Sequence, residues 1–260
     1  MIRKILFRDR GGTAEDFRWR SVESSRLEEL TDAVIGFALT LLVVSLEVPR
    51  TFDDLLVTVR DFPGFAVSFG ILIIIWHEHY KFFRRYALQN QTIVVLNAIL
   101  LFLIVFYMYP LKFLFTLSFK SIMGGGLFVT VPGSEPVPMI RDEQLPVLII
   151  LFGVGWIALW LVFALMYWHA LQKREVLRLN ELEVFNTQVS VLENLAGVGV
   201  GLISILVAFF GSSPGSFSTS TWIYLLMFPL TWIIRKNGQK RKRALQNRLV
   251  EDMLDPSEPE

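Results

Sequence analysis

The stretch RLEELTDAVIGFALTLLVVSLEVP, residues 26–49, decides how the rest of the chain is read. A charged cluster, Arg26, Glu28, Glu29 and Asp32, leads directly into an apolar run over 33–46. With its flanks that run reaches the roughly 20 residues a helix needs to cross a bilayer. A carboxylate inside hydrocarbon costs on the order of 3 kcal/mol on insertion scales, against about half a kcal/mol gained per Leu, Ile, Val or Phe. Asp32 therefore requires a partner or water. It is a lock held by Arg26 or Thr31 within a turn or two, an ion-pathway residue, or a cap just inside the headgroup layer. Leu30, Val34, Phe37, Leu41, Val44 and Val48 recur at alternating spacings of three and four, so a helix gathers them into one apolar seam. Gly36 and Thr40 lie beside that seam. At 100° per residue Asp32 stands about 140° around from Phe37 and points away from it.

Composition agrees with a membrane setting. Of 260 residues, 53% are hydrophobic and only 19% charged, with 22 Phe and 7 Trp, which is too apolar for an ordinary soluble domain. There is no cysteine, which excludes a disulfide framework and a thiolate metal site. Further apolar runs follow at 65–76, 93–119, 145–171, 189–210 and 217–234. Residues 50–61, with Asp53, Asp54 and Asp61, read as a polar connection, 120–144 as a Gly- and Pro-rich loop, and 173–186 as a charged linker. The expected fold is all-α and integral to the membrane, with six transmembrane helices in a single domain over 26–235. Segments 1–25 and 236–260 are expected to be cytoplasmic tails. The first lacks the continuous apolar stretch of a cleaved signal peptide.

Charge sets the orientation. Of the 25 Lys and Arg, the first, third and fifth connections with their membrane edges hold only Arg50, Arg60, Lys112, Lys120 and Arg141. The remainder lie at the two ends and in the second and fourth connections, which puts both termini in the cytoplasm. The basic run after Arg235 is then an orientation signal or a lipid contact, not a nucleic-acid patch.

Several polar residues interrupt the spans. His77 and His79 flank Glu78, yet helical metal ligands need i, i+4 spacing, so no metal site is expected there. Asn97 bonds either across helices or to local backbone. Gly124, Gly125 and Gly126 lack the following Lys-Ser/Thr of a phosphate cradle. Glu193 is expected to snorkel to the interface. Gly197 and Gly201 permit close helix approach, within or between subunits. Converging polar groups for catalysis and nucleotide-binding motifs are missing from the spans, so an enzyme is not expected. Nothing matches the Thr-Val-Gly-Tyr-Gly carbonyl filter either.

The residues Arg26, Leu30, Thr31 and Asp32, followed by Thr40-Leu41-Leu42-Val43 and Glu47-Val48-Pro49, resemble the first helix of the transmembrane protein 175 family of potassium channels. Leu30 stands where that family has Phe and Thr31 where it has Ser, while Phe37 occupies a constriction position usually filled by Ile or Leu. The resemblance implies a homotetramer in a bacterial plasma membrane, with membrane lipid and permeant potassium ions as partners and no cofactor or nucleic-acid partner. It implies a pore lined by the first helix of each subunit, with Phe37, Thr40, Leu41 and Val44 around the axis and apolar rings that gate by dewetting. Behind that helix it implies a network of Arg26, Leu30, Thr31, Asp32, Trp76, His77 and Asn97. The competing expectation is a proton-coupled secondary transporter with Asp32 or Glu193 as carrier. Gly36 alone, without an internal Pro, gives the first helix little of the broken character such carriers show.

Overall fold

The computed structural model describes residues 17–21, 23–44, 48–122, 128–129, 135–211 and 219–254. Among them six long helices carry nearly all the structure: α1 (Arg26–Val44), α2 (Phe52–Tyr86), α3 (Gln91–Ile122), α4 (Leu145–Gln172), α5 (Glu181–Phe210) and α6 (Met227–Leu254). Two short strands, β1 (Phe128–Val129) and β2 (Val137–Pro138), pair antiparallel in the connection between α3 and α4. The all-helical architecture follows from the apolar runs. The triple glycine, most of the N-terminal segment, Glu47 and the acidic end at 255–260 lie outside the described residues.

Four helices, α2 to α5, are long and apolar enough to cross a membrane. The other two differ for readable reasons. Helix α1 is described over 19 residues and carries Glu28, Glu29 and Asp32. Helix α6 spends most of its length on the basic run beyond Ile234.

Three segments read as connections or tails are helical. Helix α2 begins at Phe52, because Thr51 accepts from the Asp54 amide while the Asp54 carboxylate accepts from the Thr51 amide. This reciprocal cap satisfies two of the orphan donors at the helix start. Asp53 and Asp54 thereby sit in a first turn, where acidic groups complement the helix dipole. Asn180 and Glu183 form the same reciprocal cap on α5, which opens inside the presumed linker. Beyond position 236 the chain continues α6 to Leu254.

Close approach joins α4 and α5. A Cβ on Gly197 would stand 2.8 Å from the Trp160 ring, and one on Gly201 would stand 2.7 Å from Ile157. The small residues thus work within the subunit, where lipid offers no hydrophobic drive and backbone proximity supplies the dispersion energy. Trp156 donates its indole N–H to the Gly197 carbonyl at 3.0 Å, closing the same contact. Helix α3 crosses behind both α1 and α2. A tight connection links α2 to α3, with Ala87 in the left-handed region at φ 50° ending the helix.

Candidate functional site

The two faces of α1 have opposite fates. Thr31, Ile35, Ala38 and Leu42 are each 2% exposed or less, and Glu28 is buried with them. These positions repeat at three and four, and Ile35 lies two residues, about 200°, from Phe37. On the far face Leu30 is 52% exposed, Phe37 58% and Val44 71%, while Val34 and Leu41 are half-buried. A helix that is apolar all round needs apolar or lipid surroundings on both sides. The described residues of its own subunit cover one side only. Thr40 is exposed next to the seam, and its hydroxyl donates back to the Gly36 carbonyl at 2.9 Å, leaving the oxygen's lone pairs outward.

Behind α1, a polar chain runs through three helices. The Thr31 hydroxyl donates to the Leu27 carbonyl at 2.8 Å and accepts from the Asn97 amide at 3.1 Å. The Asn97 oxygen in turn meets His79 Nε2 at 3.0 Å. With the Asn97 NH2 committed to Thr31, its oxygen is an acceptor, so Nε2 is the ring nitrogen that carries the proton. Thr31, Asn97 and His79 are all 1% exposed or less. Asn97 therefore bonds across helices, as one of the two sequence alternatives held.

Asp32 is anchored separately. Its carboxylate accepts from the Trp76 indole N–H at 2.8 Å, joining α1 to α2. The Trp76 ring stacks on Tyr80 at 5.8 Å, and the Arg84 guanidinium lies over the other ring of that pair at 5.2 Å. Three expected members stand apart from the network. Arg26 is exposed and, among the described residues, its side chain makes no hydrogen bond or ion pair. His77 is exposed and contacts Tyr80, while His79, two residues and about 200° further round the helix, takes the buried place. Leu30 belongs to the exposed seam, not to the network behind it.

Sequence reading missed two fixtures at the entry of α1. Ser25 and Glu28 cap each other, the Ser25 amide donating to the Glu28 carboxylate at 2.8 Å and the Glu28 amide to the Ser25 hydroxyl at 3.3 Å. Ser-x-x-Glu ahead of an apolar run is the signal that would have found it. Before it, Arg20 and Arg18 reach Glu183 at 2.7 and 3.4 Å. The Arg20 amide also donates to the Arg84 carbonyl at 3.0 Å. Segment 17–21 is thus strapped to the end of α2 and the start of α5.

Glu193 does not snorkel. It is 8% exposed and accepts from Arg235 Nε at 2.6 Å and from its second guanidinium nitrogen at 3.1 Å. Low surroundings polarity makes an unpaired carboxylate costly there, and the bidentate fork removes that cost. Nearby, Glu78 pairs with Lys81 and accepts from the Tyr167 hydroxyl at 3.1 Å.

The profile of the family described as "Endosomal/lysosomal potassium channel TMEM175" matches residues 26–107, which hold α1, α2 and the Asn97 end of α3. A potassium channel of Marivirga tractuosa is 36% identical over 241 residues, covering 91% of this chain and 96% of its own length. Similar in structure is a variant of the potassium channel MtTMEM175 crystallised with a nanobody fusion, at 34% identity and a TM-score of 0.71, covering 88% of this chain and all of that one. A TMEM175 homologue from Chamaesiphon minutus, described as lysosomal potassium-selective, shares the fold at 19% identity and a TM-score of 0.54, over 82% of this chain and 96% of its own.

Proposed function

The chain belongs to the transmembrane protein 175 family of potassium channels, and on that premise we propose that it forms a potassium-selective pore lined by α1 of each subunit in a homotetramer. The chain is an integral membrane protein and not an enzyme. One observation carries the pore reading. Among the described residues the Leu30, Phe37 and Val44 face of α1 is left exposed, whereas the opposite face is held by α2, α3 and two sets of polar anchors.

Around a fourfold axis the seam brings Phe37, Leu41 and Val44 into successive apolar rings, with the Thr40 hydroxyls between them. Apolar rings control permeation by wetting and dewetting, and a ring of hydroxyls can touch a partly dehydrated cation. Phe37 makes the widest side chain of these rings, so it sets the constriction. The basic ends of α2, α4 and α6 face the cytoplasm in this reading, in a bacterial plasma membrane. A carrier mechanism finds less support, because Asp32 is engaged by Trp76 and Glu193 by Arg235.

Flux into liposomes under potassium and sodium gradients tests the reading, with the native chain and Phe37→Ile side by side. Potassium-selective flux whose rate changes severalfold in Phe37→Ile is the expected result. Folded oligomers that pass no ion in either form overturn it. Because the chain has no cysteine, a single Gln239→Cys reports orientation directly through labelling from one side of the membrane.

A further inference from the structure

A second site lies away from α1, in a cleft flanked by α2 and α6 and floored by α4 and α5. Its inner part is an apolar cavity of about 470 Å³, walled by Val67, Ile71, Trp156, Trp160, Leu225 and Phe228. That size falls within the roughly 300–1,000 Å³ typical of ligand sites. At one end the wall changes character. Glu78, Glu193 and Arg235 line both this cavity and an adjoining one of about 540 Å³, which adds Lys81, Arg85, His77 and Ser190.

The charges of this mouth leave a cationic excess. Lys81 is paired with Glu78 and Arg235 with Glu193. Arg85 donates to the Ser190 hydroxyl at 3.3 Å, and among the described residues it has no carboxylate partner. Three cations thus face two carboxylates. The dimensions point to the occupant. From Val67 to Glu78 the cleft follows α2 for 11 residues, or about 16 Å at 1.5 Å per residue. Half of a hydrocarbon core of about 30 Å is about 15 Å, the depth of a single leaflet. Basic pockets between transmembrane helices are suited to phosphorylated lipid headgroups.

We propose that this cleft binds one anionic phospholipid per subunit, an acyl chain lying against Val67, Ile71 and Trp160 and the phosphate at Arg85, Lys81 and Arg235. The site requires only that the chain be embedded in a membrane, and it stands independently of what α1 conducts. Gly70 provides the means to close it. It lines the cavity, and a Cβ built there meets nothing within 4 Å, so a side chain can be started there from open space.

The test is native mass spectrometry of the purified oligomer titrated with palmitoyl-oleoyl phosphatidylglycerol, with the phosphatidylcholine of the same chains, and with inorganic phosphate. Phosphatidylglycerol is expected to bind at up to one per subunit and at least tenfold more tightly than phosphatidylcholine. Gly70→Phe should weaken phosphatidylglycerol at least tenfold with helical content and oligomer mass unchanged. Arg85→Gln should bring the preference between the two lipids down severalfold, and it decides the matter should Gly70→Phe fail to fold. Equal binding of the two lipids by the native protein overturns the proposal. Phosphatidylglycerol binding that survives Gly70→Phe, or inorganic phosphate binding as tightly as the lipid, does so as well.

Discussion

The buried and exposed faces of α1 are made of nearly the same residue types, yet only one of them is fixed by its own subunit. Ile35, Ala38 and Leu42 sit against neighbouring helices with Thr31 bonded into a three-helix chain, while Leu30, Phe37 and Val44 face outward. Hydrophobicity therefore does not distinguish the two. What does is the company of small polar groups. In lipid an unpaired hydroxyl or amide is expensive, so Thr31, Asn97 and His79 choose which side of an otherwise uniform helix turns inward. A face whose Thr40 hydroxyl is satisfied within its own helix is left for water, lipid or other subunits.

Substitutions on both faces break or sharpen that contrast. The largest effect belongs to the packed side, where Leu42→Ala and Ile35→Ala should each lower stability by about 2 kcal/mol. That is the low end for aliphatic truncation, since an unpacked membrane helix moves into lipid and not into water. Phe37→Ala, on the other side, should change it by under about 0.5 kcal/mol. Thermal unfolding followed by circular dichroism in a single detergent measures all three, and equal losses on the two faces would abolish the distinction.

Asn97→Ala comes next, at about 1–2 kcal/mol, because it strips partners from both Thr31 and His79. Arg20→Gln should cost about 1 kcal/mol through loss of its bonds to the buried Glu183. Arg18→Gln should cost only a few tenths, its side chain being 64% exposed. The same melting experiment ranks this pair, and a larger loss for Arg18 would contradict the strap geometry. Smallest is Asp32→Asn. An amide oxygen still accepts from the Trp76 N–H, so stability should fall by well under 1 kcal/mol, whereas Trp76→Phe should lose more.

Much of the architecture is legible because membrane helices advertise themselves by length and hydropathy, as 93–119, 145–171 and 189–210 do. The start of α2 was hidden by its acidic residues. Asp53 and Asp54 look like a loop by composition, and only the Thr51-x-x-Asp54 pattern says otherwise. Thr31 and Asn97 were recognisable from the resemblance and do meet. The choice between His77 and His79 was not, since it depends on which way round α2 faces α3, and residues two apart point to nearly opposite sides. Glu193 and Arg235 are 42 positions apart, and their pairing needs the placement of α6 against α5, which no local pattern encodes. For the same reason no local pattern reveals that Arg18 and Arg20 clasp Glu183, more than 160 positions away.

The turn at Ala87 measures distance for the rest of the molecule. His79 lies nine residues before Leu88 and Asn97 nine residues after it, so two antiparallel helices leaving this corner bring the pair level. A residue added within either helix between the corner and this pair would shift one partner by about 1.5 Å and rotate it by about 100° against the other. The corner acts as a ruler: the spacing of a short connection dictates whether a hydrogen bond more than two turns away, deep in the bundle, can exist.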